Sequence, residues 1–353
     1  MTNTYFRYYY PYELIYKMLC LNDCEVNTAD GRIMGIQTLN HNVVQSIFNR
    51  KNLTIFKESI LTQYRTIESL HIGLFKHIKN YETSLYIEMI PKNEIQFIQI
   101  HKEFVFDMDI TDYKRLCLCS LNNDKKLCNI CWLHMEGSYL ILNFMLIHYF
   151  GYKKENLLWV FSGNKGIHCF MNGSNVLKLK DNERTALYEL MRSFKEEEDE
   201  LLLFQFIEEI GENKKFFIEE LEEYFLKRNI EERNLLSIES YQKYCLQIIK
   251  EYYISIYHTI ESKWQSTEEI TSKEKWEYLK EIEKYRGNYN NNNNNNNRIK
   301  PSLLIIFKLY YPCIDKGPMI ISHLIKLPFS IHSVTKNISL PFNKEEIYLA
   351  FDY

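Results

Sequence analysis

The sequence predicts an α+β fold, in which a mixed or antiparallel sheet with flanking helices carries a zinc-binding element and a helical insertion. Short apolar runs rich in β-favouring residues recur in the first half of the chain and around residues 104–110. Four cysteines cluster within residues 117–131, and the middle third changes to charged segments with helical apolar periodicity. Such a separation of strand-forming and helix-forming stretches is typical of α+β proteins.

The amino-terminal part supplies the first elements of this fold. Residues 5–16 are rich in tyrosine and lead into an apolar-periodic helix, where aromatic side chains favour core packing over the stacking of bases. Residues 43–53 and 60–74 mix helix and strand signals. Residues 86–100 alternate as a strand does and lead into the next apolar run, which predicts an antiparallel meander.

The run from Phe104 to Ile110 predicts a strand with two acids on one face. Because successive side chains of a strand point to opposite faces, Asp107 and Asp109 share a face, with Cα atoms roughly 6.5 Å apart. Mg²⁺ is bound in proteins through one or two carboxylates plus substrate phosphates, so the pair predicts a phosphate-handling metal site. An edge strand with a solvated polar face is the alternative that this spacing leaves open.

A cysteine cluster follows the acidic strand. Cys128 and Cys131 have the spacing at which two thiolates meet one Zn²⁺, and Cys117 and Cys119 can complete a tetrahedral set from a tight turn. His134 is a possible replacement for one of the thiols. Four unconnected cysteines are the alternative, which the clustering disfavours.

A strand, a glycine-containing turn and a second strand form the next chemical element. The turn covers residues 162–166, where free backbone N–H groups can bind an anion and Lys165 adds a positive charge. Ser162 and His168 can reach the same ligand from one side of this hairpin. Most short hairpins with glycine are only turns, so the turn alone is weak support for a phosphate site.

Helical periodicity accounts for the remaining long segments. Residues 139–150 predict an apolar helix, and residues 216–227 and 241–257 predict amphipathic helices. The acidic run at residues 196–200 predicts a solvated helix face rather than a metal site. The asparagine tract at residues 290–297 lacks apolar residues and predicts a disordered loop.

Length suggests one main domain that is interrupted once. The chain has 353 residues, which is more than one average domain needs. We expect a core over residues 1–180 with the zinc motif at 117–131, a helical insertion over 181–287, an asparagine-rich loop over 288–300, and the end of the core over 301–353.

Composition narrows the classes of function. The net charge is −3, whereas a protein that binds duplex nucleic acid by charge alone has a basic balance. Nine cysteines with one cluster fit reduced thiols and a metal site better than a secreted disulfide framework. The start lacks the pattern of a signal peptide, and no run looks long and apolar enough to span a bilayer, so we expect an intracellular protein.

Several of these blocks together resemble a known family. They are the stretch from Phe104 to Tyr113 with its two acids, the cysteine cluster ending at Cys131 and Trp132, the stretch from Trp159 to Cys169, and the stretch from His323 to His332. In this order they resemble the small, catalytic subunit of archaeal and eukaryotic DNA primases. The resemblance spans most of the chain apart from the middle third.

The resemblance implies the primase small-subunit fold and a DNA-dependent RNA primase activity, which joins ribonucleotides by two-metal nucleotidyl transfer. It implies that Asp107, Asp109 and Asp315 bind two Mg²⁺ or Mn²⁺ ions. It implies that the incoming nucleotide is bound by Ser162, Lys165, His168, Lys326 and His332. By the sequence alone Asp315 would be a turn residue, and Lys326 and His332 would be surface residues. A structural zinc would be held by Cys117, Cys119, Cys128 and Cys131.

The family also implies partners and a location. The expected partners are the primase large subunit with its iron–sulfur cluster, the DNA polymerase alpha complex, a single-stranded DNA template and ribonucleoside triphosphates, without a membrane. The expected location is the nucleus.

The chain departs from the family pattern at several nucleotide-binding positions. Ile33 stands where an acid is expected, Val43 and Val44 stand near an expected basic residue, and Asn164 replaces the first of two arginines. Lys165 offers a point charge instead of a bidentate fork. Two rivals therefore stay open: a divergent, non-catalytic scaffold subunit and a two-metal phosphodiesterase or nuclease.

Overall fold

The computed structural model describes residues 2–20, 30–38, 43–49, 53–63, 67–78, 97–113, 128–193, 214–266, 270–285, 299–320 and 323–348. The chain forms two compact units. Unit 1 comprises Met1–Met108, Lys153–Glu189 and Ile314–Ala350, and unit 2 comprises Asp109–Tyr152, Leu190–Cys313 and Phe351–Tyr353. The domain limits expected from the sequence stay predictions. The asparagine tract, the acidic run at 196–200, Cys117 and Cys119 lie outside the described residues.

The helices and strands are numbered in chain order. The strands are β1 (Asp30–Thr38), β2 (Val43–Asn49), β3 (Ile67–Ile78), β4 (Phe97–His101), β5 (Phe104–Asp109), β6 (Leu157–Phe161), β7 (Gly166–Met171) and β8 (Ile325–Lys326). The helices are α1 (Thr2–Tyr8), α2 (Tyr12–Cys20), α3 (Leu53–Gln63), α4 (Asn129–Phe144), α5 (Ser174–Leu177), α6 (Asp181–Ser193), α7 (Lys214–Phe225), α8 (Glu239–Tyr252), α9 (Ile254–Trp264), α10 (Ser272–Tyr285) and α11 (Pro301–Tyr310).

Unit 1 is built on two sheets. In the first, the strand order is β2-β1-β3-β4, with β8 paired to β3, and all of these pairs are antiparallel. In the second, the order is β5-β7-β6, with β6 and β7 antiparallel. An apolar core that includes Ile36, Leu70, Val105 and Val160 joins both sheets to α1 and α2. The α+β class predicted from the sequence is confirmed by these elements.

Part of the tyrosine-rich amino terminus packs into that core, as the sequence predicted, whereas Tyr8 and Tyr9 are exposed. Tyr10 and Tyr12 are buried. The hydroxyl groups of Tyr5 and Tyr10 donate hydrogen bonds to the carbonyl groups of Phe329 and Pro328 at 2.9 and 3.3 Å. These tyrosines therefore fix the segment that follows β8.

Unit 2 is helical where it is described. The amphipathic periodicity correctly predicted α7 and α8, although the second predicted segment is divided at Tyr253 between α8 and α9. Helices α4 and α11 pack so closely that a Cβ atom at Gly137 would come within 2.2 Å of the Tyr310 ring. Gly137 therefore allows a helix contact that a larger residue would prevent.

Helix α4 is longer than the sequence predicted. We expected a helix over 139–150, but α4 begins at Asn129 and continues as a π-helix over Met145–Tyr149. Together these 21 residues are long and apolar enough to cross a membrane, contrary to the sequence expectation, but 83% of the apolar window is buried inside the protein. Buried core helices pass the same length and composition test, and α4 is such a helix.

The predicted meander into the acidic strand is wrong where the structure describes it, at residues 97–101, whereas residues 86–96 lie outside the described residues. Strand β4 pairs with β3, whereas β5 belongs to the sheet with β6 and β7. The link between β4 and β5 is Lys102 and Glu103, and two-residue hairpins favour residues such as Gly and Asn that adopt positive φ. Both link residues are buried, and the chain passes from one sheet to the other instead of turning back.

Candidate functional site

Strand β5 carries the first acid of the site. Its apolar side chains Phe104, Phe106 and Met108 are buried, whereas Asp107 and Asp109 alternate with them and keep partial exposure. The Asp107 Oδ1 atom lies 3.3 Å from Nε2 of His168 on β7, the strand beside β5. The structure thus joins two of the residues that the sequence selected.

The chain segment with Asp315 is held against the same strand. The Asp315 backbone N–H donates to the Asp107 carbonyl at 2.8 Å. The exposed Asp315 side chain accepts a hydrogen bond from the Gly317 N–H at 3.1 Å through Oδ1. The backbone contact brings two of the three predicted metal-binding acids onto neighbouring segments of unit 1.

Asp109 ends β5 and is the first residue of unit 2. Its Oδ1 atom accepts hydrogen bonds from the backbone N–H and the hydroxyl of Thr111, both at 2.8 Å, and caps the short 3₁₀ turn Ile110–Asp112. This cap holds the Asp109 side chain through its Oδ1 atom.

Lys326 reaches the site from β8. Its cross-strand partner on β3 is His71, and its Nζ atom donates to the Ser162 carbonyl at 3.3 Å. Burial lowers the pKa of Lys326 to about 8, and the Asp107 carboxylate opposes this shift. The lysine therefore links the acidic strand to the turn at residues 162–166.

The charges around Asp107 keep it ionised. Burial would raise its pKa, but the attraction of His168, with smaller contributions from His323 and Lys326, lowers the pKa of Asp107 below its usual value. A carboxylate that stays charged in a half-buried setting is suited to bind a cation.

Ser162 organises the turn between β6 and β7. Its Oγ atom accepts hydrogen bonds from the N–H groups of Asn164 and Gly166 at 3.3 and 3.1 Å. Gly163 has φ of 86°, and a Cβ atom there would lie 3.1 Å from both the Asn337 carbonyl oxygen and the His332 Cβ. Glycine is thus required both by the backbone and by this close approach.

His332 and Lys165 complete the predicted nucleotide-binding set. The loop with His332 is tied to the turn because the Thr335 hydroxyl donates to the Gly163 carbonyl at 2.6 Å. The His332 Nδ1 atom accepts from the Val334 and Thr335 N–H groups, both at 3.3 Å. Lys165 is half-buried in the turn itself.

The His168 imidazole has one nitrogen that can still accept or donate a hydrogen bond. Its side chain is buried, and within the described part of the chain its Nδ1 atom has no hydrogen-bond partner. A buried polar atom without a partner is costly unless a ligand or water supplies one. The imidazole can therefore bind Asp107 through one nitrogen and a ligand through the other.

Sequence reasoning missed His71. The Ser69 hydroxyl donates to Gln37 Oε1 at 2.7 Å, so its oxygen accepts from His71 Nε2 at 2.9 Å. Burial, aided by Lys326 and His323, lowers the pKa of His71 to about 4 and keeps the ring neutral. The alternation of residues along β3 places His71 on a face, but only the pairing of β3 with β8 sets it opposite Lys326.

The zinc prediction is only partly covered by the described residues. Cys128 caps α4, and its Sγ atom accepts from the Cys131 N–H at 3.3 Å. Neither thiol forms a disulfide with a described residue, and the described residues contain no group of three or more possible ligands. His134 packs in the core instead, with Nδ1 2.8 Å from the Leu309 carbonyl oxygen and its ring stacked on Tyr113.

Comparisons with known proteins agree on one family. A family model described as DNA primase small subunit matches residues 106–344. The chain is 25% identical to the DNA primase small subunit of Saccharomyces cerevisiae over 272 residues, 25% identical to that of Caenorhabditis elegans over 268 residues, and 24% identical to that of Schizosaccharomyces pombe over 262 residues. These matches cover 73%, 72% and 71% of the chain, and 61%, 63% and 54% of the relatives.

Proposed function

Because the chain belongs to the DNA primase small-subunit family, we propose that it is a DNA-dependent RNA primase subunit, which synthesises short RNA primers on single-stranded DNA. The observation that carries the proposal is the grouping of Asp107, His168, Asp315 and Lys326 around β5 and the turn after β6. The chain spans 54–63% of the length of the relatives reported above, so its activity is inferred from this site as well as from the family.

The acids fit a hard divalent cation. Asp107, Asp109 and Asp315 offer carboxylate oxygens, although the described residues do not form a preassembled group of three ligands. Substrate phosphates would complete the oxygen coordination that Mg²⁺ and Mn²⁺ take. A metal ion held by these acids would activate the attacking 3′-hydroxyl and stabilise charge at the phosphate under attack. Asp107 remains ionised for this role because His168 holds its pKa low against the effect of burial.

The basic and polar groups fit a ribonucleoside triphosphate. Lys326 and Lys165 provide positive charge, and His168 Nδ1 and the half-buried His332 lie on segments joined through the turn at residues 162–166. Ser162 contributes by holding this turn in shape, because its hydroxyl oxygen already accepts two backbone N–H groups. Nucleotidyl transfer relies mainly on such positioning and charge stabilisation.

The proposal extends to a structural Zn²⁺ and to partner proteins. Cys117, Cys119, Cys128 and Cys131 would hold the zinc, leaving no open position for a substrate. The partners would be an iron–sulfur large subunit and the DNA polymerase alpha complex, in the nucleus. A net charge of −3 supports a role for partners in holding the template.

The zinc proposal has a specific test in Cys128. Serine there keeps a side-chain oxygen that can cap α4, whereas it removes a thiolate ligand. Cys128→Ser should therefore lose zinc, measured by elemental analysis, and lower the melting temperature. The same change at the buried Cys245 should leave zinc content unchanged. Full zinc content in Cys128→Ser would contradict the proposal.

The test of primase activity is synthesis on a polypyrimidine single-stranded template with purine ribonucleotides and Mg²⁺ or Mn²⁺. Wild-type protein should produce short RNA, and the Asp107→Ala/Asp109→Ala double variant should not. Shortening of an added strand would favour the nuclease alternative. If no product forms even with the large subunit present, the scaffold alternative is favoured, with Asn164 among the substitutions to examine.

A further inference from the structure

Two buried cationic side chains lie next to the acidic strand β5, and the function proposed above does not use them. Lys102, in the link between β4 and β5, and Arg184, in α6, are each 1% exposed. Burying a charge is expensive unless it is paired or hydrogen-bonded. The partners that these two cations find are largely backbone carbonyl groups.

Lys102 binds the segment that follows Asp315. Its Nζ atom donates hydrogen bonds to the carbonyl groups of Pro318, Ile320 and His323 at 3.2, 2.9 and 2.6 Å. An ammonium group has three donors, and all three are directed to this one segment.

Arg184 binds the backbone of the link that contains Lys102. Its Nη2 atom donates to the Lys102 carbonyl at 2.5 Å, and Nη1 donates to the carbonyl groups of Glu103 and Met319 at 3.1 and 3.3 Å. Its Nε atom donates to the Leu179 carbonyl at 2.9 Å. We call Lys102 and Arg184 together the cation clamp.

The clamp holds a segment that lies between two site residues. Four of the carbonyl groups that it binds fall between Asp315 and Lys326 in the sequence, and the Asp315 backbone N–H itself donates to the Asp107 carbonyl. Gly317 lies close to side chains at both ends of this segment, because a Cβ atom there would lie 3.2 Å from Asp315 Oδ2 and 3.5 Å from His323 Cε1. A small movement of the segment therefore moves the Asp315 carboxylate.

We propose that Lys102 and Arg184 are positioning residues that set the Asp315 carboxylate relative to Asp107 for metal binding, an inference that rests on the proposed function. Apolar replacements of buried ionic groups are often neutral or stabilising, so stability alone is a weak reason to bury two cations. The clamp instead donates hydrogen bonds to four carbonyl oxygens of the segment between Asp315 and Lys326. Groups that orient metal ligands by hydrogen bonding typically change metal affinity by about 10- to 100-fold when they are removed, which sets the scale for the clamp.

The test compares Lys102→Met with a matched lysine in unit 2. Lys275 is also buried, and its Nζ atom donates to the Leu236 carbonyl at 3.1 Å and to Gln242 Oε1 at 2.7 Å. Lys275→Met thus removes a buried ammonium group of similar bonding outside the acidic site. Mn²⁺ binding is titrated by electron paramagnetic resonance with a non-hydrolysable ribonucleoside triphosphate, using only folded protein.

We expect Lys102→Met to weaken Mn²⁺ binding by about tenfold or more, and Lys275→Met to change it by less than about twofold. Arg184→Lys keeps the charge but not the four directed donors, so it should weaken Mn²⁺ binding by an intermediate factor. Unchanged Mn²⁺ affinity in Lys102→Met, or equal losses in Lys102→Met and Lys275→Met, would overturn the proposal. If Lys102→Met does not fold, wild-type affinity in Arg184→Lys would overturn it equally.

This experiment separates the clamp from the proposed function. Wild-type protein whose Mn²⁺ binding requires Asp107 but that extends no strand would refute the primase proposal. The effect of Lys102→Met on Mn²⁺ affinity would still decide the role of the clamp.

Discussion

Unit 1 and unit 2 both bury charged side chains, but they satisfy them differently. In unit 2 the fully buried Glu136 accepts from Arg233 Nη1 and Nη2 at 2.6 and 2.8 Å, and Arg233 also donates to Asn129 and Asn229. In unit 1 the buried His168 contacts Asp107, and its Nδ1 atom has no partner within the described part of the chain.

The difference separates a structural network from a binding site. The described N–H donors of the Arg233 guanidinium group all donate to protein oxygens, so this group is satisfied without a ligand. The acids and the imidazole of unit 1 have polar atoms that a metal ion or a triphosphate can contact. Changes in the two units should therefore affect different properties.

The largest expected effect on stability is in unit 2. Arg233→Met leaves the Glu136 carboxylate buried without its bidentate partner, which should cost about 3–5 kcal/mol of unfolding free energy. Urea denaturation measures this loss. The double variant Arg233→Met/Glu136→Leu should recover most of it, because both charges are then removed. If the single variant is as stable as wild type, the network is not structural.

At Gly163 in unit 1 we expect a smaller loss of stability than at Arg233. We expect the effect on triphosphate binding there to be larger than the effect on stability. Gly163→Ala strains a backbone with φ of 86° and crowds His332, which should cost about 1–3 kcal/mol of stability and weaken triphosphate binding. Gly151→Ala in unit 2 is the control, because its φ is 70° but nothing lies within 4 Å of the added Cβ. Equal triphosphate affinity in the two variants would contradict a binding role for the turn.

The smallest expected effect is the pH dependence that His134 gives to unit 2. Burial lowers its pKa from 6.5 to about 4, so the folded state keeps the ring neutral. As the pH falls below 6.5, the unfolded chain takes up a proton that the folded chain refuses, and stability declines until about pH 4. At pH 5.5 this amounts to roughly 1.4 kcal/mol.

The substitution His134→Gln removes this titration. Urea denaturation at pH 7.5 and 5.5 should show a smaller drop in stability for the variant than for wild type. His71 in unit 1 has a similarly lowered pKa but is unchanged in both proteins, so it does not affect the difference. If stability falls equally with pH in wild type and His134→Gln, His134 is not the source of the pH dependence.

The sequence predicted the local part of the site well. The placement of Asp107 and Asp109 on one face of a strand follows from the period of two, and the turn with Ser162 and Gly163 follows from its residue types. The sequence did not reveal His71 or the cation clamp, since their partners are distant in the sequence and depend on the pairing of strands and on backbone carbonyl groups.

The start of α4 was missed for a related reason. His134, Glu136 and Ser138 interrupt or follow the apolar residues at 130–135 and obscure the helical period before residue 139. In the structure all three are buried and bonded to partners far along the chain, including Leu309 and Arg233. Periodicity of apolar residues cannot identify a buried polar side chain whose partner is non-local.

The most direct test of the proposed site is the addition of one ribonucleotide to an RNA primer on a DNA template by wild type and Asp107→Asn. The amide has the shape of the carboxylate but lacks the negative charge that binds a divalent cation. Asp107→Asn should melt close to wild type and lose extension by about 10³-fold, whereas Arg233→Met should retain extension per folded molecule. Extension by Asp107→Asn at the wild-type rate would contradict the assignment of the site.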